Sequence, residues 1–274
     1  MTLMLLDLDN TLIDADYRLT VPDNEFRTVV QELASKDVRV GLCSDSAVIT
    51  LRQWADRLGL TGPIVAERGA VVWDSERQTE NILEISETAW FHDFRESFIN
   101  AVMRNFPGAT IMIGDATRFV KDRSVNAALT QHVFAINGFR AASFSFFACR
   151  PKSDQAGLEP DSELLERASE LASDLAITYG KNKEDLFWDK NSKYGILIVH
   201  ARTTEKWRGI SALIDPLSSE QTIMVGDGMS DFLDLPHVAQ YAVGNADPSY
   251  KAKATFVAES PLTKGVIECL MRCV

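Results

Sequence analysis

The sequence predicts an α/β protein with a doubly wound, parallel-sheet core, interrupted by an α+β insertion. Three observations predict it. An apolar run, Leu3 to Leu6, stops abruptly at Asp7 and Asp9, and a second run near the other end of the chain, Thr222 to Val225, stops at Gly226-Asp227-Gly228 with Asp231 following. Short apolar runs closed by polar residues read as buried parallel strands that deliver side chains to the carboxyl edge of a sheet, where open α/β folds place their ligands. Around both runs, strand and helix patterns alternate; over residues 80–193 that alternation is lost.

Taken in order, a polar loop from Asp14 to Asp23 leads to Asn24–Lys36, where Phe26, Val29, Val30 and Leu33 recur at helical spacing. Val38 to Cys43 is the second strand and ends in Ser44-Asp45-Ser46. A helix follows with Val48, Leu51, Trp54, Ala55 and Leu58 on one face, closed by Gly59. Pro63 to Ala66 is a third short strand, and Glu67-Arg68-Gly69-Ala70 turns into a hairpin-like run at Val71 to Trp73. The charged turn from Asp74 to Glu80 marks a boundary. The insertion carries helical patterns at Phe91–Phe106 and Asp161–Leu175. Its strand-like runs are Thr110–Ile113, His132–Ile136, Ser143–Cys149, Leu186–Trp188 and Tyr194–His200. Alternation resumes with a helix from Glu205 to Leu213, a strand from Gln221, short segments at Tyr241–Val243 and Phe256–Val257, and a final helix from Gly265. The expected division is a core of residues 1–79 and 194–274 around an inserted domain of residues 80–193.

Composition narrows the function classes. With 28 basic and 39 acidic residues among 274, the chain carries a formal charge of −11, which argues against nucleic acid or an anionic membrane surface as partner. No apolar stretch is long enough to span a bilayer, and the start of the chain lacks the pattern of a secretory signal, so a cytoplasmic protein is expected. Cys43, Cys149, Cys269 and Cys273 lack metal-ligand spacing and read as reduced thiols.

The chemistry is carried by the strand ends. Two carboxylates as close as Asp7 and Asp9 repel, so the pair implies a hard cation, with Mg²⁺ the natural choice. An EF-hand starting at Asp7 fails, because its sixth and twelfth positions are Leu12 and Arg18. Neither a dinucleotide fingerprint nor a P-loop follows the first strand. Gly226 and Gly228 frame Asp227 in a tight turn. Taken singly, Lys206 reads as solvated surface and Ser44 as a helix cap.

Together the four pieces resemble the haloacid dehalogenase superfamily of phosphohydrolases. Asp7-Leu8-Asp9-Asn10-Thr11 is similar to its D-x-D-x-T first motif and Ser44 to its second. Lys206 is similar to its third, and Gly226-Asp227-Gly228-Met229-Ser230-Asp231 to its G-D-x-x-x-D fourth. An insertion between the second and third motifs resembles the C2-capped branch, as do Gly244-Asn245-Ala246-Asp247-Pro248 and Lys264-Gly265-Val266. Departures are Ser44-Asp45-Ser46 where many relatives have Thr-Gly-Arg, Arg68 where asparagine is usual, and Trp207 where glycine is common.

The resemblance implies a Rossmann-like core with a cap. It also implies an Mg²⁺-dependent phosphomonoester hydrolase acting on a small phosphorylated metabolite, a sugar phosphate by kinship, through an aspartyl-phosphate. In that scheme Asp7 is the nucleophile and Asp9 the acid and base. Ser44 and Lys206 bind the phosphoryl oxygens; Asp7, Asp9 (through its backbone carbonyl) and Asp227 make up the metal site, and Asp231 either joins them as a ligand or orients Lys206. A phosphomutase of the same fold and a non-catalytic metal- or phosphate-binding module are the alternatives. In the cap, Arg118, Lys121, Arg123, Arg140, Arg150 and Lys152 are candidates for substrate contact, most of them expected to be solvated surface.

Overall fold

The structure, a computed structural model, describes residues 2–83, 85–121, 131–153, 156–213 and 221–272. The chain opens with β1 (Thr2–Leu6), α1 (Asp23–Ala34), β2 (Val38–Cys43), α2 (Val48–Leu58), β3 (Ile64–Ala66), β4 (Val71–Asp74) and β5 (Thr79–Ile82). It continues through α3 (Ile85–Thr88), α4 (Phe91–Asn105), β6 (Thr110–Gly114), α5 (Ala116–Lys121), β7 (Val133–Asn137), β8 (Ser143–Pro151), β9 (Leu158–Pro160), α6 (Ser162–Thr178), β10 (Leu186–Asn191) and β11 (Ile196–Ala201). It closes with α7 (Lys206–Ser211), β12 (Gln221–Gly226), β13 (Val238–Ala242), α8 (Pro248–Lys251), β14 (Phe256–Val257) and α9 (Leu262–Met271).

Two compact units result, Met1–Leu83 with Thr204–Val274, and Glu84–Thr203. The first is an eight-stranded sheet in the order β14-β13-β12-β1-β2-β3-β4-β5, parallel from β14 to β3 and finished by an antiparallel hairpin. β1 lies at the centre between β12 and β2. Met4, Leu5 and Leu6 are wholly buried, as a strand covered on both faces requires. The buried face of α1 is Phe26, Val30 and Leu33, and that of α2 is Val48, Leu51, Trp54, Ala55 and Leu58. Gly59 ends α2 at φ 71°, a left-handed turn that glycine makes without Cβ strain.

The second unit is a sheet in the order β10-β11-β8-β7-β6, with β9 paired to β8. Its core is aromatic: Phe94, Phe98, Phe134, Phe144 and Phe146 are buried between the sheet and helices α4 and α6, with Phe94 and Phe144 in edge contact at 5.0 Å.

Both sequence-based boundaries move. Residues 80–82 stay with the first unit because Glu80, Asn81 and Ile82 pair with Trp73, Val72 and Val71 across the β4–β5 hairpin. Residues 194–203 go with the second unit because β11 lies between β10 and β8. The apolar pattern of β11 is equally compatible with either sheet; pairing decides it. α5, β9 and α8 were not anticipated, being too short for periodicity to register.

Candidate active site

β1 and β12 run side by side, and the ladder continues one step past them, with the Asp7 N–H donating to the Val225 carbonyl at 2.9 Å. Asp7 and the turn after Gly226 therefore emerge at the same sheet edge. There the Lys206 ammonium donates to Asp7 Oδ1 at 2.7 Å and to Asp231 Oδ1 at 2.6 Å, and all three side chains are buried. Asp231 uses its other oxygen to accept the N–H groups of Asp227 and Gly228, at 3.0 and 3.1 Å, which ties the turn together. The Thr11 hydroxyl donates to Asp227 Oδ1 at 3.2 Å.

Glycines make this packing possible. A Cβ on Gly226 would lie 2.4 Å from Asp231 Cβ and Oδ2, so only glycine admits the Asp231 side chain. Gly69, at φ 89°, touches the backbone where α7 begins: a Cβ there would lie 2.1 Å from the Glu205 carbonyl oxygen. Gly209 sits against the same turn, its Cβ position 2.9 Å from Gly69 Cα. This close contact seats the first turn of α7 and so fixes where Lys206 enters the site.

The charges do not balance locally. Burial and the neighbouring Asp231 raise the Asp7 carboxyl well above the usual carboxylate range, against the opposing pull of Lys206. Asp227 is raised to about 6 by burial and by Asp231. Burial alone would lower the Lys206 ammonium, but Asp231 and Asp7 outweigh it and hold its pKa above the ordinary lysine value. Oxygens of Asp7, Asp227 and Asp231 lie within 4.8 Å of one another. Three carboxylates facing one ammonium leave an excess of negative charge, and an all-oxygen donor set of this kind fits a hard divalent cation.

Among the remaining sequence candidates, Asp9 is half-buried, and its charge adds to the upward shift of Asp7. Ser44 is buried at the end of β2, the strand next to β1, and its hydroxyl accepts the Ser46 N–H at 3.2 Å. Cys43, before it, is buried within reach of the same charges; burial holds its thiol protonated and inert. Cys149 and Cys269 are also buried and outside any disulfide, and Cys273 lies outside the described residues.

Sequence reasoning gave no role to the residues that brace the loop after β1. Asn245 Nδ2 donates to the Asn10 carbonyl at 2.7 Å while Asn245 Oδ1 accepts the Leu262 N–H. Thr263 Oγ1 donates to the Leu12 carbonyl at 2.7 Å, and the Asp247 N–H donates to the Asp227 carbonyl at 2.7 Å. Asn10 itself is left-handed, at φ 58°. The sequence showed the segment 244–248 and residues 264–266 only as resembling the C2-capped branch; in the structure, Asn245, Asp247 and Thr263 beside them hold the acidic loops.

In the second unit, Arg140 is buried, with Nε and Nη1 donating to the hydroxyls of Ser145 and Ser143, and Arg150 pairs with Glu159 at the surface. Arg118 and Lys152 are exposed; Arg123 and the Lys121 side chain lie outside what is described.

A sequence profile of the haloacid dehalogenase-like hydrolases matches residues 4–270. The chain belongs to that family. Within it, the sequence is 24% identical over 277 aligned positions to a protein of Sulfolobus acidocaldarius named phosphoglycolate phosphatase, covering 99% of this chain and 96% of the relative. Among solved structures, a haloacid dehalogenase-like hydrolase from Bacteroides thetaiotaomicron aligns with a TM-score of 0.64 at 17% identity, over 100% of this chain and 99% of that one. A Thermotoga maritima protein aligns with a TM-score of 0.64 at 16% identity, over 99% and 97%. At such identities the structures show a shared fold. The family makes the chain a hydrolase. Among the described residues no helix is long and apolar enough to cross a membrane.

Proposed function

We propose that this hydrolase is a phosphatase that cleaves a small phosphomonoester by way of an aspartyl-phosphate, with Mg²⁺ as its cofactor. The observation that carries the reading is the buried Lys206 bridging Asp7 and Asp231 beside Asp227. Asp7 attacks phosphorus: an Asp7 oxygen–phosphorus bond forms, the bond to the leaving oxygen breaks, and Asp9 gives that oxygen a proton. Asp9 then takes a proton from a water that attacks the phosphorylated Asp7, which releases phosphate and restores the carboxylate. Lys206 and Ser44 bind the phosphoryl oxygens, where charge is spread in the transition state.

Asp7, Asp227 and the backbone carbonyl of Asp9 would hold Mg²⁺. Asp231, already engaged with Lys206 and two backbone amides, acts chiefly by orienting them. When bound, the cation supplies positive charge that keeps Asp7 ionised and offsets the charge of the phosphoryl group. The second unit serves as the cap that selects the substrate. Two substrate classes are supported: sugar phosphates, by the resemblance to the C2-capped branch, and phosphorylated hydroxy acids, by the name of the Sulfolobus relative.

The test is phosphate release from a panel of both classes with Mg²⁺ and with excess chelator. Release that needs the cation is expected. Conversion of a sugar phosphate into its isomer without release would make the protein a phosphomutase instead, and no turnover at all would leave a binding module.

A further inference from the structure

Asn245 is an exposed residue just after β13, and its side chain joins two backbone groups that lie far apart in the chain. Its Nδ2 donates to the Asn10 carbonyl at 2.7 Å, and its Oδ1 accepts the Leu262 N–H at 2.8 Å. Both partners are left-handed, Asn10 at φ 58° and Leu262 at φ 54°. Asparagine tolerates this region better than leucine, but for either it is costly backbone that persists where the surroundings impose it, often at functional sites. Here one amide is bonded to both.

The place of Asn10 gives that bond its consequence. The N–H groups of Leu12 and Ile13 both donate to the Leu8 carbonyl at 3.0 Å, closing the chain from Leu8 to Ile13 into one tight turn that carries Asp9. Beside it, the Thr11 hydroxyl donates to Asp227 Oδ1 at 3.2 Å and the Asp247 N–H donates to the Asp227 carbonyl at 2.7 Å. Residues 245–247 therefore grip the loop after β1 on one side and the turn after β12 on the other, and Asn245 is the part that holds the residue next to Asp9. Asp7 is fixed by the strand ladder and by Lys206. The backbone angles of Asn10 set the direction in which the chain leaves Asp9, so relaxation at Asn10 moves Asp9 relative to Asp7. An exposed hydrogen bond of this kind adds little to stability, whereas a proton donor displaced by an ångström loses much of its effect.

We infer that Asn245 is a positioning residue for the proton transfer by Asp9: by holding Asn10 in its left-handed turn it aims the Asp9 carboxyl at the leaving oxygen. This rests on the phosphatase reading above, in which Asp9 gives that oxygen a proton as the Asp7 oxygen–phosphorus bond forms and the bond to the leaving group breaks. A misplaced Asp9 therefore matters most where the leaving group is basic and needs the proton, and least where it departs readily as an anion. A disturbance confined to the metal site or to the general packing of the loop affects both kinds of substrate alike.

The experiment compares the wild type, Asn245→Ala, Asn245→Asp and Asp9→Asn on phenyl phosphate and on p-nitrophenyl phosphate, with Mg²⁺ and with a thermal melt of each variant. Phenolate is much the more basic leaving group of the two. The ratio kcat/KM covers the steps up to its departure, so the later hydrolysis of the aspartyl-phosphate, common to both substrates, drops out. In Asn245→Ala, kcat/KM for phenyl phosphate should fall roughly fivefold to tenfold further than that for p-nitrophenyl phosphate, a part of the 10²-fold to 10⁴-fold that a placed general acid contributes, while the melting temperature stays close to that of the wild type. Asn245→Asp still offers an acceptor to the Leu262 N–H but no donor to the Asn10 carbonyl, and should show the same discrimination. An equal loss on both substrates, or none, would mean that Asn245 only braces the loop and overturns the inference, as does an Asn245→Asp that behaves like the wild type. If Asp9→Asn itself shows no larger loss on phenyl phosphate, or the wild type cleaves neither substrate, the phosphatase reading with Asp9 as acid is overturned, and the inference with it.

Discussion

The two units bury different things. The first buries a charged cluster: Asp7, Asp231 and Lys206 are all under one-tenth exposed, gathered where parallel strands end. The second buries rings, with seven phenylalanines (Phe91, Phe94, Phe98, Phe106, Phe134, Phe144 and Phe146) in one core cluster. Buried charge is costly unless paired, and a fold gains little stability from it. Aromatic packing stabilises strongly and does no chemistry by itself. The contrast separates two kinds of interior: the first unit holds the cluster proposed to react, at a cost in stability, and the second has an aromatic core.

That contrast can be broken by substitution. Asp7→Asn should have the largest effect on turnover, on the order of 10⁴-fold or more, the scale of removing a nucleophile. Steady-state assays on a generic aryl phosphate decide it, and activity persisting in this variant contradicts the nucleophile assignment. Lys206→Ala should cost about 10²-fold or more in turnover. Because it strands two buried carboxylates, it should also destabilise the protein by about 3–5 kcal/mol in denaturant titrations with chelator present. Arg208→Ala is the control: its guanidinium lies over the exposed Trp207 ring at 5.2 Å, and the change should be mild. If Arg208→Ala proves damaging and Lys206→Ala mild, the assignment is reversed.

A smaller effect is expected from Gly69→Ala. The added Cβ meets the Glu205 carbonyl at 2.1 Å and must displace the start of α7, and with it Lys206, so turnover should drop roughly 10-fold to 10²-fold, the scale of an ångström-sized misplacement. A melting temperature that falls while kcat holds would show that Lys206 is positioned by something else. The smallest effect on a generic substrate belongs to Phe144→Ala. Cavity formation at this buried ring should cost about 3–5 kcal/mol of stability. Below the melting transition, cleavage of the aryl phosphate should change little, and a collapse of kcat there would mean that the aromatic core reaches the chemistry.

Much of this was legible in the sequence because it is written in local signals. Apolar runs ending at Asp7 and Asp227 announced β1 and β12, and the faces of α1 and α2 followed from helical spacing. The non-local parts were not legible. Lys206 was picked out only by the resemblance; taken singly it looked like surface, because nothing near it in the chain says that α7 packs on Gly69, and its burial depends on glycines from two separate segments. Asp231 was left between metal ligand and orienting residue, and its two bonded oxygens favour orientation. The strand β11 could not be assigned to a sheet from its own residues, and Asn245 and Thr263 brace a loop more than 200 positions away, with no periodicity to reveal it.

The most direct test of the central claim is to quench the protein with acid during turnover of a phosphomonoester in Mg²⁺ and to map the protein by mass spectrometry. One phosphoryl group is expected, on the peptide that contains Asp7, and none in Asp7→Asn. Steady phosphate release with no phosphoryl group on that peptide, or with one on another residue, would contradict it.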